Sequence, residues 1–224
     1  MKKWRIIFYQ FLVSLLPLVY LASVWSRLPE IVPTHSDLNL QTDRYGSKNE
    51  ILYVLIFLVV ITFLTSLLTL SINRIDPKLR NKDSNTLLVK ISWVISLLLT
   101  VVSLSIVYST YVKSRGHSSS LFLFKYLVAI LSVFFAVLGN FMKSVKQNYF
   151  FGFRTPWALD DADNRRKTHL LGSKVWFFGG LIMCALALLS PEGFANYIMI
   201  SGLIVLVFIP FYYSYSLFKH KRNA

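Results

Sequence analysis

A single cysteine, Cys184, stands in 224 residues, so no intrachain disulfide forms. Its place between Met183 and Ala185 reads as packing, and redox chemistry is not expected. Charge is scarce too: 15% of residues are charged, with 10 acids against 24 lysines and arginines. The long apolar runs hold no acid near their centres, which removes the charged relay that a proton pump or ion-coupled transporter uses at that depth. Internal repeats, low-complexity tracts and nucleotide-binding glycine patterns are missing. No nucleophile, base and orienting group gather on one side of the chain, so neither enzyme activity nor a cofactor is expected.

What is present is apolar surface, 55% of residues, with a mean hydropathy of +0.55. A spanning helix takes about 20 apolar residues, and runs of that kind fall at roughly 6 to 25, 51 to 72, 87 to 112, 121 to 142, 175 to 190 and 195 to 218. The expected fold is therefore an all-α integral membrane protein of six transmembrane helices. The first run is too long for a signal-peptide core and lacks a small-x-small cleavage site, so it is read as an uncleaved helix. The fifth run is short, and its helix is expected to reach back toward His169, with Lys174 snorkelling to the interface. Pro17 and Pro210 lie inside spans, where each marks a kink or plain packing. Serines and threonines in "ITFLTSLLTLS" leave small-molecule or lipid transport open as an alternative.

The net charge of +14 is distributed unevenly. With the first residue inside, the inner segments carry most of the 24 basic residues, among them Lys2, Lys3, Arg5, Lys78, Arg80, Arg154, Arg166, Lys167, Lys219 and Lys221. This positive-inside pattern orients both termini toward the cytoplasm. Attraction to anionic membrane lipid accounts for the charge without direct nucleic-acid binding.

Two loops are large enough to carry structure. Residues 26–50 form an outer loop, "SRLPEIVPTHSDLNLQTDRYGSKNE", in which Pro29 and Pro33 bias their predecessors toward extended backbone and "RYGS" supplies a turn. His35, Asp37 and Asp43 are competent metal donors, but one histidine with scattered acids matches no closed zinc pattern, so no metal is expected. Internal hydrogen bonds and salt bridges are expected to fold this loop over the helix ends. Candidate recognition or structural residues are Pro33, His35, Asp43, Arg44, Tyr45 and Lys48.

Residues 143–174 form a long inner segment. Phenylalanines around Gly152, with Tyr149 and Trp157, offer ring surface at headgroup depth. Asp160 is a candidate N-cap for a short cytoplasmic interfacial helix over about 161–171, with Asp161–Arg165 and Asp163–Lys167 as i,i+4 pairs. Arg154 is expected to clamp the carboxylates of that helix, or to meet lipid phosphate or a partner. By span count, His169 falls across the membrane from His35, so the two belong to no common site. Candidate structural or partner-binding residues here are Asn140, Asn148, Gly152, Arg154, Thr155, Pro156, Trp157, Arg166, Lys167 and His169.

Both segments carry a family likeness. Leu28-Pro29, Val32-Pro33-x-His35 and Asp43-Arg44-Tyr45-Gly46-Ser47-Lys48 resemble an N-terminal module of unknown function found in bacterial multispanning proteins. "GNFMKSVKQNYFFGFRTPWAL" followed by "RKTHLLG" resembles the SdpI family of six-span bacterial membrane proteins. The resemblance divides the chain into a two-span module at 1–72 and a four-span region at 73–224. It implies a cell-membrane immunity or resistance protein acting against a secreted toxin peptide, coupled to signalling through a cytoplasmic transcriptional regulator. A membrane adaptor that sequesters a regulator without a toxin role is the alternative within that likeness.

Overall fold

The computed structural model describes residues 3–37, 41–75, 82–116, 120–144 and 152–223. Its helices are α1 (Lys3–Ser14), α2 (Leu16–Val24), α3 (Lys48–Ile75), α4 (Lys82–Ser114), α5 (Ser120–Met142), α6 (Pro156–Asp160), α7 (Ala162–Leu189) and α8 (Ala195–Asn223), with strands β1 (Ile31–Ser36) and β2 (Thr42–Ser47) between α2 and α3. Among the described residues six helical stretches are long and apolar enough to cross a membrane: Lys3–Arg27, Lys48–Ile72, Asn85–Ser114, Phe124–Met142, Ala162–Leu189 and Ala195–Asn223. The chain is an all-α membrane protein with one added β-hairpin.

The first span is two helices, because Pro17 has no N–H to continue α1 and its ring crowds the preceding turn. Leu15 bridges the break, donating to Phe11 O at 3.2 Å and accepting from Val19 N at 3.1 Å. Pro210, by contrast, sits within a continuous α8.

The chain divides into two compact units that interleave in sequence: 1–71 with 88–127 and 191–196, and 72–87 with 128–190 and 197–224. In the first, Leu21, Val24, Leu28, Val32, Ile51, Leu55 and Val107 form an apolar cluster, and Ile6, Ile7 and Leu70 a second one. Its interior is also polar. Gln10 is fully buried and exchanges hydrogen bonds of 2.9 and 3.0 Å with Ser92 Oγ, while Thr62, Ser66 and Thr69 of α3 and Ser96, Thr100 and Ser103 of α4 are buried at helical spacing. Several of these groups bond to their own helix, as Thr62 Oγ1 does on Leu58 O at 2.8 Å and Thr100 Oγ1 on Ser96 O at 2.9 Å.

In the second unit α5 and α7 approach closely enough for backbones to touch. A Cβ on Gly180 would lie 2.6 Å from Ala136 N and Ser132 O, and one on Gly139 would lie 2.8 Å from Trp176 C. Small residues permit this contact where lipid supplies no hydrophobic drive for helix association. Trp176 then reaches α8, donating from Nε1 to Leu206 O at 2.9 Å.

Two expectations about 143–174 are corrected. The interfacial helix over 161–171 is not separate: α7 runs unbroken from Ala162, and so the fifth span begins well before His169. The short element between spans four and five is α6, five residues long.

Candidate functional site

The hairpin between α2 and α3 is assembled from its prolines outward. Pro29 and Pro33 hold their predecessors extended. Antiparallel pairing follows, with Ile31 opposite Ser47, Val32 opposite Gly46, Pro33 opposite Tyr45, His35 opposite Arg44 and Ser36 opposite Thr42, interrupted by irregularities either side of His35. "RYGS" therefore lies within β2 and is no turn, and Gln41 N donates to Asp37 Oδ1 at 2.8 Å. Val32 anchors the hairpin, its side chain fully buried in the Leu21–Val107 cluster. Burial of a valine contributes about 1.5–3 kcal/mol.

Ion pairs tie the remaining candidates together. His35 Nδ1 donates to Asp43 Oδ1 at 2.6 Å, and that hydrogen bond holds the Asp43 carboxyl below its ordinary range. Lys48 Nζ donates to Glu30 Oε1 at 2.8 Å and lies 4.9 Å from the centre of the Trp25 ring. Arg44 stands 3.8 Å from Glu50, and Tyr45 is exposed. Gly46 leaves the room that the Glu50 carboxylate occupies.

Beside this hairpin is a cavity of about 300 Å³. Pro33, Thr34, His35 and Ser36 of β1 border it; Val102, Ile106, Phe124 and Leu127 of α4 and α5 supply apolar walls. Ser105, Ser109, Thr110 and Lys113 add a polar side along α4, and Lys113 Nζ donates to Ser36 Oγ. His35 and Pro33 were legible in sequence, whereas the helix residues facing them were not.

The second unit gathers the "RTPW" segment around a buried polar knot. Thr155 is extended at φ −66°, ψ 149° and caps α6 by accepting from Ala158 N at 3.2 Å, with Pro156 following at a first-turn position that needs no N–H. The same hydroxyl meets Ser214 Oγ at 2.5 Å. Asn164 Nδ2 donates to Ser214 O at 2.9 Å, and Asn164 Oδ1 accepts from Ser214 Oγ at 2.9 Å and Thr168 Oγ1 at 3.0 Å. Trp157 packs on α8, its ring 5.0 Å from Tyr215 and 5.3 Å from Phe211.

Neighbouring candidates form a second contact set. Gly152, at φ +103°, turns the chain where any Cβ would strike the His169 ring. His169 is buried and its Nε2 donates to Phe153 O at 3.4 Å; the Phe153 ring lies edge-on to Trp176 at 5.6 Å and fills the space left by Gly172. These residues fasten the loop onto α7.

Arg154 does not clamp the carboxylates of α7. It is exposed, and among the described residues it makes no ion pair. The helix carboxylates are held by other cations: Asp161 by Lys221 at 2.9 Å, Asp163 by Arg166 at 3.0 Å and Lys167 at 2.8 Å. Asp161, not Asp160, caps α7, accepting from Asp163 N at 2.9 Å; the Lys221 ammonium and these amides hold its carboxyl below the usual range. Asp160 ends α6, and Arg165, assigned above to Asp161, is instead buried. Asn140 is exposed, and Asn148 lies outside the described residues.

Sequence reading missed Asn164, Ser214, Lys221 and the Gln10–Ser92 pair. Gln10 carried a signal, as an amide inside an apolar run; Ser214, 50 residues from its partner Asn164, carried none. Among the described residues no three of His, Cys, Asp and Glu come together as a metal site requires.

Six apolar spans, a pinned hairpin and a capped, knotted segment at the start of the fifth span define a multi-pass α-helical membrane protein. Residues 144–214 match the model of the SdpI/YfhL protein family. Residues 12–62 match the Domain of unknown function (DUF1648). The first match encloses the knot from Thr155 to Ser214, the second the hairpin. No curated protein and no solved structure matches the chain.

Proposed function

We propose that this chain is an immunity or resistance protein of the bacterial cell membrane, protecting the cell from a secreted antimicrobial or killing peptide. The observation that carries the reading is the SdpI/YfhL match at 144–214, which covers the segment fastened to α7 and α8. The charge pattern supports an arrangement with both termini cytoplasmic and the hairpin outside, where an arriving peptide is met first. On the inner side the excess of lysine and arginine suits anionic lipid and a cytoplasmic regulator. The protein acts by binding rather than by catalysis.

The test is survival. Expression in a sensitive bacterium should raise its survival beside peptide-secreting neighbours, and deletion from the native cell should lower it. If neither changes survival against any membrane-active secreted peptide, the reading is wrong.

A further inference from the structure

One helical stripe of α4 borders the cavity beside β1: Val102, Ser105, Ile106, Ser109, Thr110 and Lys113 recur at intervals of three and four. From Val102 to Lys113 this stripe runs for about 16 Å. Lys113 stands in the last turn of α4, at the end of a candidate span, and so at headgroup depth. Val102 lies deeper, and Ile106, Phe124 and Leu127 complete an apolar wall. The cavity is therefore polar toward one end and apolar along its length.

Two hydroxyls at the polar end are unlike their neighbours. Thr100, Ser103 and Ser105 each donate to an α4 carbonyl four residues back. Ser109 and Thr110 do not: among the described residues neither hydroxyl has a hydrogen-bond partner, although Thr110 is only 6% exposed. Buried polar groups are rarely left so, and one that borders a cavity is accounted for by what fills the cavity. Lys113 follows within one turn and adds a positive charge, while among the described residues no aspartate or glutamate borders the cavity. Three donors at one end of an apolar slot call for an amphiphile with an anionic head.

We propose that this cavity binds a long-chain carboxylate: the head accepts hydrogen bonds from Ser109, Thr110 and Lys113, and the acyl chain runs along α4 past Ile106 and Val102, against Phe124 and Leu127 of α5. A volume of about 300 Å³ is at the bottom of the range for small-molecule sites and suits one acyl chain rather than the two of a bilayer phospholipid. Nothing in this site requires the immunity reading to hold.

The probe is laurate carrying a diazirine at its methyl end, photo-crosslinked to the full chain in phosphatidylcholine nanodiscs, with the labelled peptides mapped by mass spectrometry. Saturable labelling is expected on α4 near Val102 and on α5 near Leu127. Unlabelled laurate should compete at least about tenfold better than lauryl alcohol, which keeps the chain and loses the charge. Thr110→Val keeps the shape of the side chain and removes an unpartnered hydroxyl, so it should raise the laurate concentration for half-competition severalfold and leave thermal unfolding unchanged. Lys113→Gln should erase the preference for laurate over the alcohol. Labelling that does not saturate, equal competition by the alcohol, or unchanged competition in both variants overturns the site. Phosphatidylglycerol competing as well as laurate would give the cavity to a bilayer lipid and overturn the single-chain ligand.

Discussion

Replacing Asn164 with leucine keeps the approximate shape of the side chain and removes every hydrogen bond it makes. Two of those bonds cross to α8, Nδ2 to Ser214 O and Ser214 Oγ to Oδ1, each at 2.9 Å; the third, from Thr168, stays within α7. Cross-helix side-chain bonds in membrane proteins average about 0.6 kcal/mol and reach about 1.7. The larger figure is the better guide here, because Asn164 and Ser214 are 4% and 0% exposed and water has little access to groups left unpaired. Thr168 can turn its hydroxyl to its own helix backbone, so its loss adds little. The expected cost of Asn164→Leu is about 2 kcal/mol, a shift of roughly thirtyfold in the folded-to-unfolded ratio. Reversible unfolding in mixed SDS and dodecylmaltoside micelles measures it. Ser214→Ala removes the shared Oγ bond to Asn164 and the bond to Thr155 while keeping the backbone carbonyl that Asn164 Nδ2 reaches, so Asn164→Leu/Ser214→Ala should cost less than the sum of the single variants. Strict additivity, or a cost below about 0.5 kcal/mol for Asn164→Leu, would refute the claim that these residues act as one network.

Three further outcomes follow from individual contacts. Gly152→Ala and Gly116→Ala both place a side chain at positive φ, at +103° and +75°, but only Gly152 faces a neighbour, the His169 ring; thermal unfolding should show Gly116→Ala costing about 1 kcal/mol and Gly152→Ala clearly more. The Asp43 carboxyl is held below its ordinary range by His35, so its contribution to hairpin stability is present above the unfolded carboxylate range and lost as pH falls through the lowered folded value. Amide exchange over 31–47 should accelerate on acidification, and Asp43→Asn should flatten that acid limb. In a Cys184→Ser background, Tyr45→Cys should react with a membrane-impermeant maleimide on intact cells, whereas Lys219→Cys should react only after lysis; the reverse would invert the proposed orientation.

The sequence by itself determined the spans and the presence of structure in two loops. Apolar length is a local property, and hydrocarbon thickness sets a length threshold that six runs of this chain reach. Thr155 and Pro156 were legible only through the family likeness, and Trp157 also as a ring at headgroup depth, while the packing of that ring on Phe211 and Tyr215 was not. Asp163 with Lys167 was legible through helical spacing. What tertiary structure decided were the partners drawn from afar. Asp161 had a nearby arginine in sequence but pairs with Lys221, and Arg154 had nearby carboxylates yet meets none among the described residues. A charged side chain takes the partner that folding delivers at hydrogen-bond distance, and for Asp161 that partner arrives on α8. The cavity is the clearest case: β1 announced itself through two prolines and a histidine, but its opposite wall comes from α4 and α5, some seventy to ninety residues on. Only chain packing could put that wall against β1.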